Sequence, residues 1–435
     1  MRKVFKVLIG FALALALSVP MAVVGSGEVK AAGEVYINDT NFPDANFRDY
    51  LLSKTTTYTT DGSDKYYTQE QINSIVSINC SEKNIESLKG IEYFTALEQL
   101  YCENNQLTSL DVTKNTALTE LVCYFNELTE LDITKNTALT YLECAYNRLT
   151  SLDVTKNTAL ETLGCADNQL TSLDVTKNTA LETLNCSNTS LTSLDVTKNT
   201  DLKNLLCMNN AMKSLDITKN TALEYLNCDG NQLTSLDLTK YTALSKLACR
   251  DNQLTSLVFA KNIDMEDLFC DNNHLTSLDL PDNISLSYDF YSGSGQTSEA
   301  GLVIKDGKTY FDMKTFIGSN ADINKVTITS DNWTLDKTTG LACYGGSDLP
   351  EEINYNYAIN NGNLLLSVSV AINGVSYAKS DEENNNNAST SGDTTQTPKT
   401  PQTGDDSGLM IYLIIGALAA VGGAMIVARN KMEEE

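Results

Sequence analysis

A segment of 21 residues recurs through the middle of the chain and limits what the chain can fold into. Its cysteines mark it best, because one stands every 21 residues from Cys102 to Cys270, and Cys80 lies 22 residues before Cys102. Each cysteine belongs to the pattern L-x-x-L-x-C-x-x-N-x-L, which a nearly constant TSLDVTKNTA segment follows. A fixed period of this kind predicts a solenoid, in which each repeat buries its apolar residues only against its neighbours.

The pattern and its period are typical of leucine-rich repeats, whose short strands stack in parallel into a horseshoe. Ten repeats within 75–287 predict an α/β-type solenoid with a parallel sheet of about ten strands. Because side chains alternate along a strand, Leu142 and Cys144 should point inward while Glu143 points outward. The asparagine that ends each pattern should bond to backbone groups of the turn, and Thr189 interrupts this series.

The cysteines occupy inward aliphatic positions, which favours free thiols packed as small hydrophobic groups. Disulfides are the usual expectation for an exported chain with many cysteines, and strands about 4.8 Å apart would permit them. The cysteine side chains should nevertheless point the same way into a packed core. A row of single cysteines also does not form the tetrahedral cluster that a zinc ion needs. We therefore predict free thiols, no metal site and no cofactor.

Both ends of the chain carry segments that indicate export. A basic start and a long apolar run predict a signal peptide over 1–31. Near the other end, an uncharged apolar run over 409–428 is long enough to span a bilayer as a transmembrane segment, and a short cytoplasmic tail over 429–435 follows it. Residues 380–408 hold almost no apolar side chain and predict a disordered linker.

The segment Thr400-Pro401-Gln402-Thr403-Gly404, just before this run, resembles the sorting signal of Gram-positive wall-anchored proteins. In that family a sortase cuts between threonine and glycine and joins the threonine to the peptidoglycan of the cell wall. The resemblance implies sortase recognition of Thr400, Pro401, Thr403 and Gly404, although Thr400 stands where the family motif has leucine. Membrane anchoring by the C-terminal helix is the alternative, and either mode would leave the body of the protein outside the cell.

Segments without the repeat flank it on both sides. Residues 32–74 contain ANFRDYLL and, at Thr68 and Gln71, a capping box, so we predict a small helical N-terminal cap over the first repeat. Residues 288–379 lose the period and hold strand-like runs, including a hairpin with an Asp-Gly turn. They predict a C-terminal β-sandwich, immunoglobulin-like in outline, which we interpret as a cap and spacer rather than a second binding site.

The charge and the histidine content argue against several classes of function. The net charge is -25 at pH 7, and such a surface repels nucleic-acid phosphates and anionic lipid headgroups. His274 is the one histidine, so most acid–base chemistry lacks its usual residue. No nucleophile–base arrangement is visible in the sequence. We predict no nucleic-acid partner and no enzymatic activity.

The outward strand positions vary between repeats and carry aromatic residues that a solvated sheet face does not need. We therefore predict a ligand site on the concave face, centred on the second to fourth repeats, with further members in later repeats. The candidate residues are Tyr101, Val122, Tyr124, Phe125, Tyr141, Glu143, Tyr146, Met208, Tyr225 and Phe269. Aromatic rings contact proteins and also stack on sugars, so an extracellular protein and a glycan both stay open as ligands. The competing interpretation is that a cap or loop covers these rings.

The whole order of segments resembles the internalin-like surface proteins of Gram-positive bacteria. That order is signal peptide, cap, repeats, β-domain, spacer and sorting signal. The resemblance implies adhesion to molecules of a host or a neighbouring cell through the concave face. The period of 21 residues is one shorter than is usual in that family, and cysteine replaces an aliphatic residue. A structural surface spacer without a specific ligand is the alternative function.

Overall fold

The structure, a computed structural model, describes residues 33–54, 57–261, 264–280, 291–305, 308–318, 321–359 and 364–377. The predicted signal peptide, linker, sorting motif, transmembrane segment and tail lie outside these residues. In the part of the chain that is described, no helix has the length and apolar character needed to cross a membrane.

The N-terminal cap combines the two predicted helices with a small sheet that the sequence did not reveal. The elements are β1 (Val35–Tyr36), α1 (Ala45–Ser53), β2 (Thr59–Asp61), β3 (Asp64–Tyr67) and α2 (Gln69–Ser74), and the antiparallel sheet has the order β1-β3-β2. The capping box at α2 is confirmed, because Thr68 and Gln71 each accept the other's backbone N–H. Phe42, Phe47 and Phe94 are fully buried where the cap meets the first repeat. The cap thereby closes the open end of the repeat core.

The repeats form the predicted leucine-rich-repeat solenoid, with one short strand in each repeat. The strands are β4 (Ser77–Asn79), β5 (Gln99–Tyr101), β6 (Glu120–Val122), β7 (Tyr141–Glu143), β8 (Thr162–Gly164), β9 (Thr183–Asn185), β10 (Asn204–Leu206), β11 (Tyr225–Asn227), β13 (Lys246–Ala248), β15 (Asp267–Phe269) and β16 (Tyr291–Ser292). They form one parallel sheet of eleven strands, in which the strand of each repeat pairs with the strand of the next repeat. Leu142 and Cys144 are fully buried as predicted. Two short strands between the repeats, β12 (Asp237–Leu238) and β14 (Val258–Phe259), pair separately.

The asparagine that follows the strand bonds to backbone groups of the turn, as predicted, and it also bonds to the preceding repeat. In the fourth repeat, Asn147 Nδ2 donates to the carbonyls of Cys123 (3.0 Å) and Cys144 (3.1 Å), and Oδ1 accepts the N–H of Leu128 at 3.0 Å. Each such asparagine therefore ties its own repeat to the preceding one. We call this series the first asparagine ladder, and Gln296 ends it by donating to the Cys270 carbonyl at 2.7 Å.

A second asparagine ladder runs through the TSLDVTKNTA segments. Its members are fully buried, and each donates to two carbonyls of the preceding repeat, as Asn157 does to Ile133 (3.0 Å) and Asn136 (2.8 Å). Tyr241 replaces asparagine at this position in a later repeat, and its hydroxyl donates to the Ile217 carbonyl. These carbonyls also accept a backbone N–H of their own repeat, as Ile133 does from Asn136 at 3.0 Å. The buried asparagine therefore adds a second bond to each carbonyl, and this bond links one repeat to the next.

The predicted C-terminal β-domain is present, but its seven strands form one mixed sheet rather than the two sheets of an immunoglobulin-like sandwich, because its first and last strands pair in parallel and join the two halves. Its elements are β17 (Gln296–Lys305), β18 (Lys308–Asp312), α3 (Met313–Ile317), β19 (Val326–Ile328), β20 (Trp333–Asp336), β21 (Leu341–Tyr344), β22 (Glu352–Ile359) and β23 (Leu364–Tyr377), with the strand order β19-β22-β23-β17-β18-β21-β20. The predicted hairpin of β17 and β18 is confirmed. Tyr355 donates to the Thr276 carbonyl at 2.6 Å, and Tyr357 donates to Asp279 at 2.9 Å. These bonds attach the domain to the last repeat.

The eleven cysteines are free thiols, and ten of them lie buried in the repeat core. Burial raises the pKa of Cys80 and of Cys186 to about 12, so both are protonated at neutral pH. A buried, protonated thiol is a poor nucleophile and packs as a small apolar group.

We expect a thiol-specific reagent to modify at most one cysteine of the native protein. That residue is Cys343, which is half-buried on β21, whereas the other ten are inaccessible. After denaturation without reductant, all eleven thiols should react. Colorimetric titration of native and denatured samples gives both counts, and a denatured count far below eleven would mean that the repeats carry disulfides.

Candidate ligand-binding surface

Four positions of each repeat face away from the core, on the concave side of the sheet. They are the first and third residues of the strand, the residue after the cysteine, and the residue after that. In the fourth repeat these positions hold Tyr141, Glu143, Ala145 and Tyr146. Residues at one position in successive repeats lie on neighbouring strands about 4.8 Å apart. We call the surface formed by the four positions the concave surface.

The fourth position has an unusual backbone conformation in all ten repeats. Its φ lies between 51° and 62°, in the left-handed region that costs an ordinary L-residue about 1–2 kcal/mol. Eight repeats place a polar residue or glycine there: Glu82, Asn104, Asp167, Asn188, Asn209, Gly230, Asp251 and Asn272. The third and fourth repeats instead place Phe125 and Tyr146 at this position. Two adjacent repeats therefore hold a bulky ring where the backbone favours asparagine or glycine.

The two rings stack on each other. Their centroids are 4.2 Å apart with an interplanar angle of 17°, and the Tyr124 ring meets Phe125 edge-on at 5.6 Å. Phe125 is 47% exposed, while Tyr124 and Tyr146 are half-buried. We call these three residues the aromatic platform. The platform lies outside the repeat core, and two of its rings occupy a backbone conformation that asparagine or glycine adopts at lower cost.

Carboxylates lie beside the aromatic platform. The Glu143 carboxylate lies across Gly164 on the next strand, where a Cβ would stand 2.0 Å from Oε2, so only glycine leaves room for it. Burial raises the pKa of Glu143 to about 7 and also raises the pKa of Glu103. Within the described residues, Glu103 Oε2 is buried and has no hydrogen-bond partner. Glu103 occupies the position of Tyr124 in the preceding repeat, and the pKa of Tyr124 is raised by burial first and then by Glu103 and Glu143.

The other candidate residues of the early repeats border this cluster. The Tyr101 hydroxyl donates to Glu120 at 2.6 Å, on the neighbouring strand. Tyr141 is half-buried, and burial together with Glu143 raises its pKa. Val122 is only 5% exposed, so it offers little surface to a ligand. Apart from Val122, the predicted residues of the second to fourth repeats thus present side chains on the concave surface.

The candidates of the later repeats form a separate group with a different chemistry. Met208 contacts Asn227 (3.4 Å, Sδ to Nδ2), beside Tyr225. The Arg250 guanidinium lies 5.0 Å from the centre of the Phe269 ring and pairs with Asp229 at 2.8 Å. Strands β6 and β10 are four strand spacings apart, about 19 Å, so the early and late candidates lie on different parts of the concave surface.

Two acidic residues of the early cluster were absent from the predicted site. Glu103 precedes Tyr124 by one repeat at the same position, and Asp167 follows Tyr146 in the same way. Asp167 accepts a hydrogen bond from Asn188 at 3.2 Å, and burial raises its pKa. Comparing each position across all ten repeats would have found both residues, because neighbours in the fold stand 21 residues apart in the sequence.

The described residues give no support for metal or acid–base chemistry. They contain no group of three or more His, Cys, Asp or Glu residues arranged to hold a metal ion. The His274 ring nitrogen lies 2.7 Å from the Thr297 carbonyl oxygen, at the junction with the β-domain. His274 thus contacts the start of the β-domain and lies outside the candidate surface.

We expect Glu143→Gln to stabilise the protein at pH 8 but not at pH 5. The folded-state pKa of about 7 lies above the ordinary value of 4.5, so the folded state binds the proton more tightly. Wild-type stability therefore falls as pH rises from about 4.5 to about 7, and glutamine removes this fall. Thermal unfolding at both pH values tests this, with exposed Glu130→Gln as the control for charge loss. If the variant and the wild type differ in melting temperature by the same amount at both pH values, the pKa of Glu143 is not raised in the folded state.

The chain matches no protein-family model. It is 40% identical over 84 residues to Internalin J of Listeria monocytogenes serotype 4b (strain F2365), a stretch that covers 19% of this chain and 9% of Internalin J. The chain thus spans only a small part of that relative's length.

Solved structures of similar proteins include two from Listeria monocytogenes. The functional domain of InlJ, described as including a cysteine ladder, is 24% identical and covers 80% of this chain and 100% of that one, with a TM-score of 0.37. The internalin InlF is 22% identical and covers 60% of this chain and 94% of that one, with a TM-score of 0.43. The chain thus forms a leucine-rich-repeat solenoid, and 84 of its residues are similar in sequence to part of Internalin J.

Proposed function

We propose that this protein is an internalin-like surface protein that binds an extracellular protein or glycan through the concave surface of its repeats. One observation carries the proposal: Phe125 and Tyr146 are stacked, partly exposed, and held in a backbone conformation that neither ring favours. Aromatic anchors of this kind provide most of the binding energy in many interfaces. The proposal assigns no catalysis to the chain.

The binding function fits an exported chain that is held at the cell surface. The basic and apolar start, the Pro-x-Thr-Gly motif and the apolar run over 409–428 support export and anchoring to peptidoglycan by a sortase. Membrane anchoring through the same apolar run is the second possibility. Mass spectrometry of wall fragments distinguishes the two, because sortase cleavage leaves Thr403 as the last residue, joined to peptidoglycan.

A surface spacer without a specific ligand is the alternative function. It is favoured by the long, regular scaffold and by the linker-like composition of 380–408. A spacer does not require exposed rings at strained positions, however, and it predicts that replacing those rings changes no interaction of the protein.

A retention experiment tests the binding proposal. The full chain is immobilised and incubated with mucins, host-cell extracts and wall polymers. We expect at least one preparation to yield a component that wild type retains and that a Phe125→Asn, Tyr146→Asn variant releases. Equal retention by both proteins would exclude the aromatic platform as the site. Retention of nothing by wild type would favour the spacer.

A further inference from the structure

Around the aromatic platform, acidic side chains are present without a matching positive charge from the described part of the chain. Glu103 and Glu143 belong to the two repeats that flank the repeat of Tyr124, and Glu103 occupies the same repeat position as Tyr124. Among the described residues, no lysine or arginine lies within ion-pair distance of Glu103 or Glu143. A partly buried carboxylate without a cation or full hydrogen bonding is unfavourable, and a ligand cation would relieve this.

The other end of the same surface shows how this chain neutralises such groups when it uses its own residues. Asp229 is paired with Arg250 at 2.8 Å, and Asp267 is paired with Lys246 at 2.9 Å. The Arg250 guanidinium also lies over the Phe269 ring, with 5.0 Å to the ring centre. Carboxylate, guanidinium and aromatic ring are thus combined within the chain in the eighth to tenth repeats.

The second to fourth repeats offer two of these three components. Glu103 supplies a carboxylate oxygen that is buried and without a hydrogen-bond partner in the described structure. Tyr124 occupies the same position in the next repeat, and Phe125 beside it is 47% exposed. A cation placed between an aromatic face and a carboxylate gains from both, and the gain is larger where water is partly excluded.

We infer that the aromatic platform binds an arginine or lysine side chain of an extended basic segment of a partner protein, held between the rings and Glu103 and Glu143. This inference rests on the proposed function, because it names the ligand class of the same surface. An arginine side chain suits both components, since its planar guanidinium stacks on rings and forms paired bonds with carboxylates. The net charge of -25 would further accelerate the approach of a basic segment.

The test uses the purified full chain and two labelled peptides, one of alternating glycine and arginine and one with citrulline in place of every arginine. Citrulline keeps the shape of arginine and removes its charge. We expect fluorescence anisotropy to detect binding of the arginine peptide only. Glu103→Gln and Glu143→Gln should each weaken it about tenfold, as expected for loss of one charged hydrogen bond. Exposed Glu130→Gln, in the constant segment of the third repeat, should leave it unchanged, and melting curves verify that all variants fold.

Two results would overturn the inference. The first is that Glu130→Gln weakens binding of the arginine peptide as much as Glu103→Gln and Glu143→Gln do. The peptide would then be attracted by the overall charge of the protein rather than bound at this site. The second result is no binding of the arginine peptide, combined with retention of a neutral glycan that Phe125→Asn abolishes. That result would remove the basic ligand and leave the binding function in place. The binding function fails separately if wild type retains no component in the binding experiment.

Discussion

The double variant Phe125→Asn, Tyr146→Asn is expected to lose ligand binding while its stability stays within about 1 kcal/mol of wild type. Asparagine is the residue that the scaffold itself uses at this position, as at Asn104, Asn188 and Asn209. Releasing two rings from the left-handed region gains about 1–2 kcal/mol for each ring. Losing their stacking costs about 0.5–1.5 kcal/mol, together with some buried apolar area. These contributions largely offset each other.

Binding should change far more than stability. A central aromatic anchor typically contributes 2 kcal/mol or more, so loss of Phe125 alone should weaken binding by about thirtyfold or more. Surface plasmon resonance against the component retained in the binding experiment gives the affinity, and urea unfolding gives the stability. Because the variant stays folded, the loss can be attributed to the surface itself. An affinity within twofold of wild type would contradict the assignment of the aromatic platform.

The reverse substitution measures the strain directly. Asn209→Phe places a ring at the same backbone position, where φ is 52°, in a repeat whose wild-type sequence has asparagine. We expect it to destabilise the protein by about 1–2 kcal/mol from strain, in addition to the loss of the hydrogen bond from Asn209 to Asn188. No loss of stability would mean that the rings at 125 and 146 are not strained, and the binding argument would lose its main support.

The repeat period made most of the fold predictable. A period of 21 residues stacks equivalent residues of successive repeats, and the structure confirms this for Leu142 and Leu163. The bonds from the asparagines to carbonyls of the preceding repeat were not predicted, although they follow from the same period. The small sheet of the cap was missed because its strands have only two to four residues, too few for an alternating pattern to be recognised.

The candidate surface was only partly predictable. The residue types at the outward positions of the repeat identified the rings of the third and fourth repeats. The backbone conformation of Phe125 and the burial of Val122 could not be predicted in this way, because both arise from packing between strands. The position of the Glu143 carboxylate depends on Gly164 of the next repeat. A prediction that considers each repeat separately does not include this neighbour. Pairs of residues separated by one period therefore carry the information that single positions lack.

The largest loss of stability is expected from Asn147→Ala, in the middle of the first asparagine ladder. The side chain of Asn147 satisfies the carbonyls of Cys123 and Cys144 and the N–H of Leu128, all buried in the core. Alanine leaves the buried N–H of Leu128 without a partner, which costs about 1–3 kcal/mol, whereas the two carbonyls keep the bonds that they accept from Asn126 and Asn168. Because two carbonyl bonds of about 0.5–1.5 kcal/mol each are lost as well, we expect a total loss of about 3–5 kcal/mol. Because repeats support only their neighbours, the loss should also reduce the cooperativity of urea unfolding.

The sequence supplies its own matched control at Thr189, where threonine interrupts the same ladder. The Thr189 hydroxyl donates to the Cys186 carbonyl at 3.0 Å, and a single hydroxyl cannot reproduce all the bonds of an asparagine amide. We therefore expect Thr189→Asn to stabilise the protein by about 1 kcal/mol, and Asn147→Thr to destabilise it less than Asn147→Ala. Urea midpoints of the three variants should follow that order. An unchanged midpoint for Asn147→Ala would mean that water satisfies the exposed backbone groups and that stacking of leucines alone holds the repeats together.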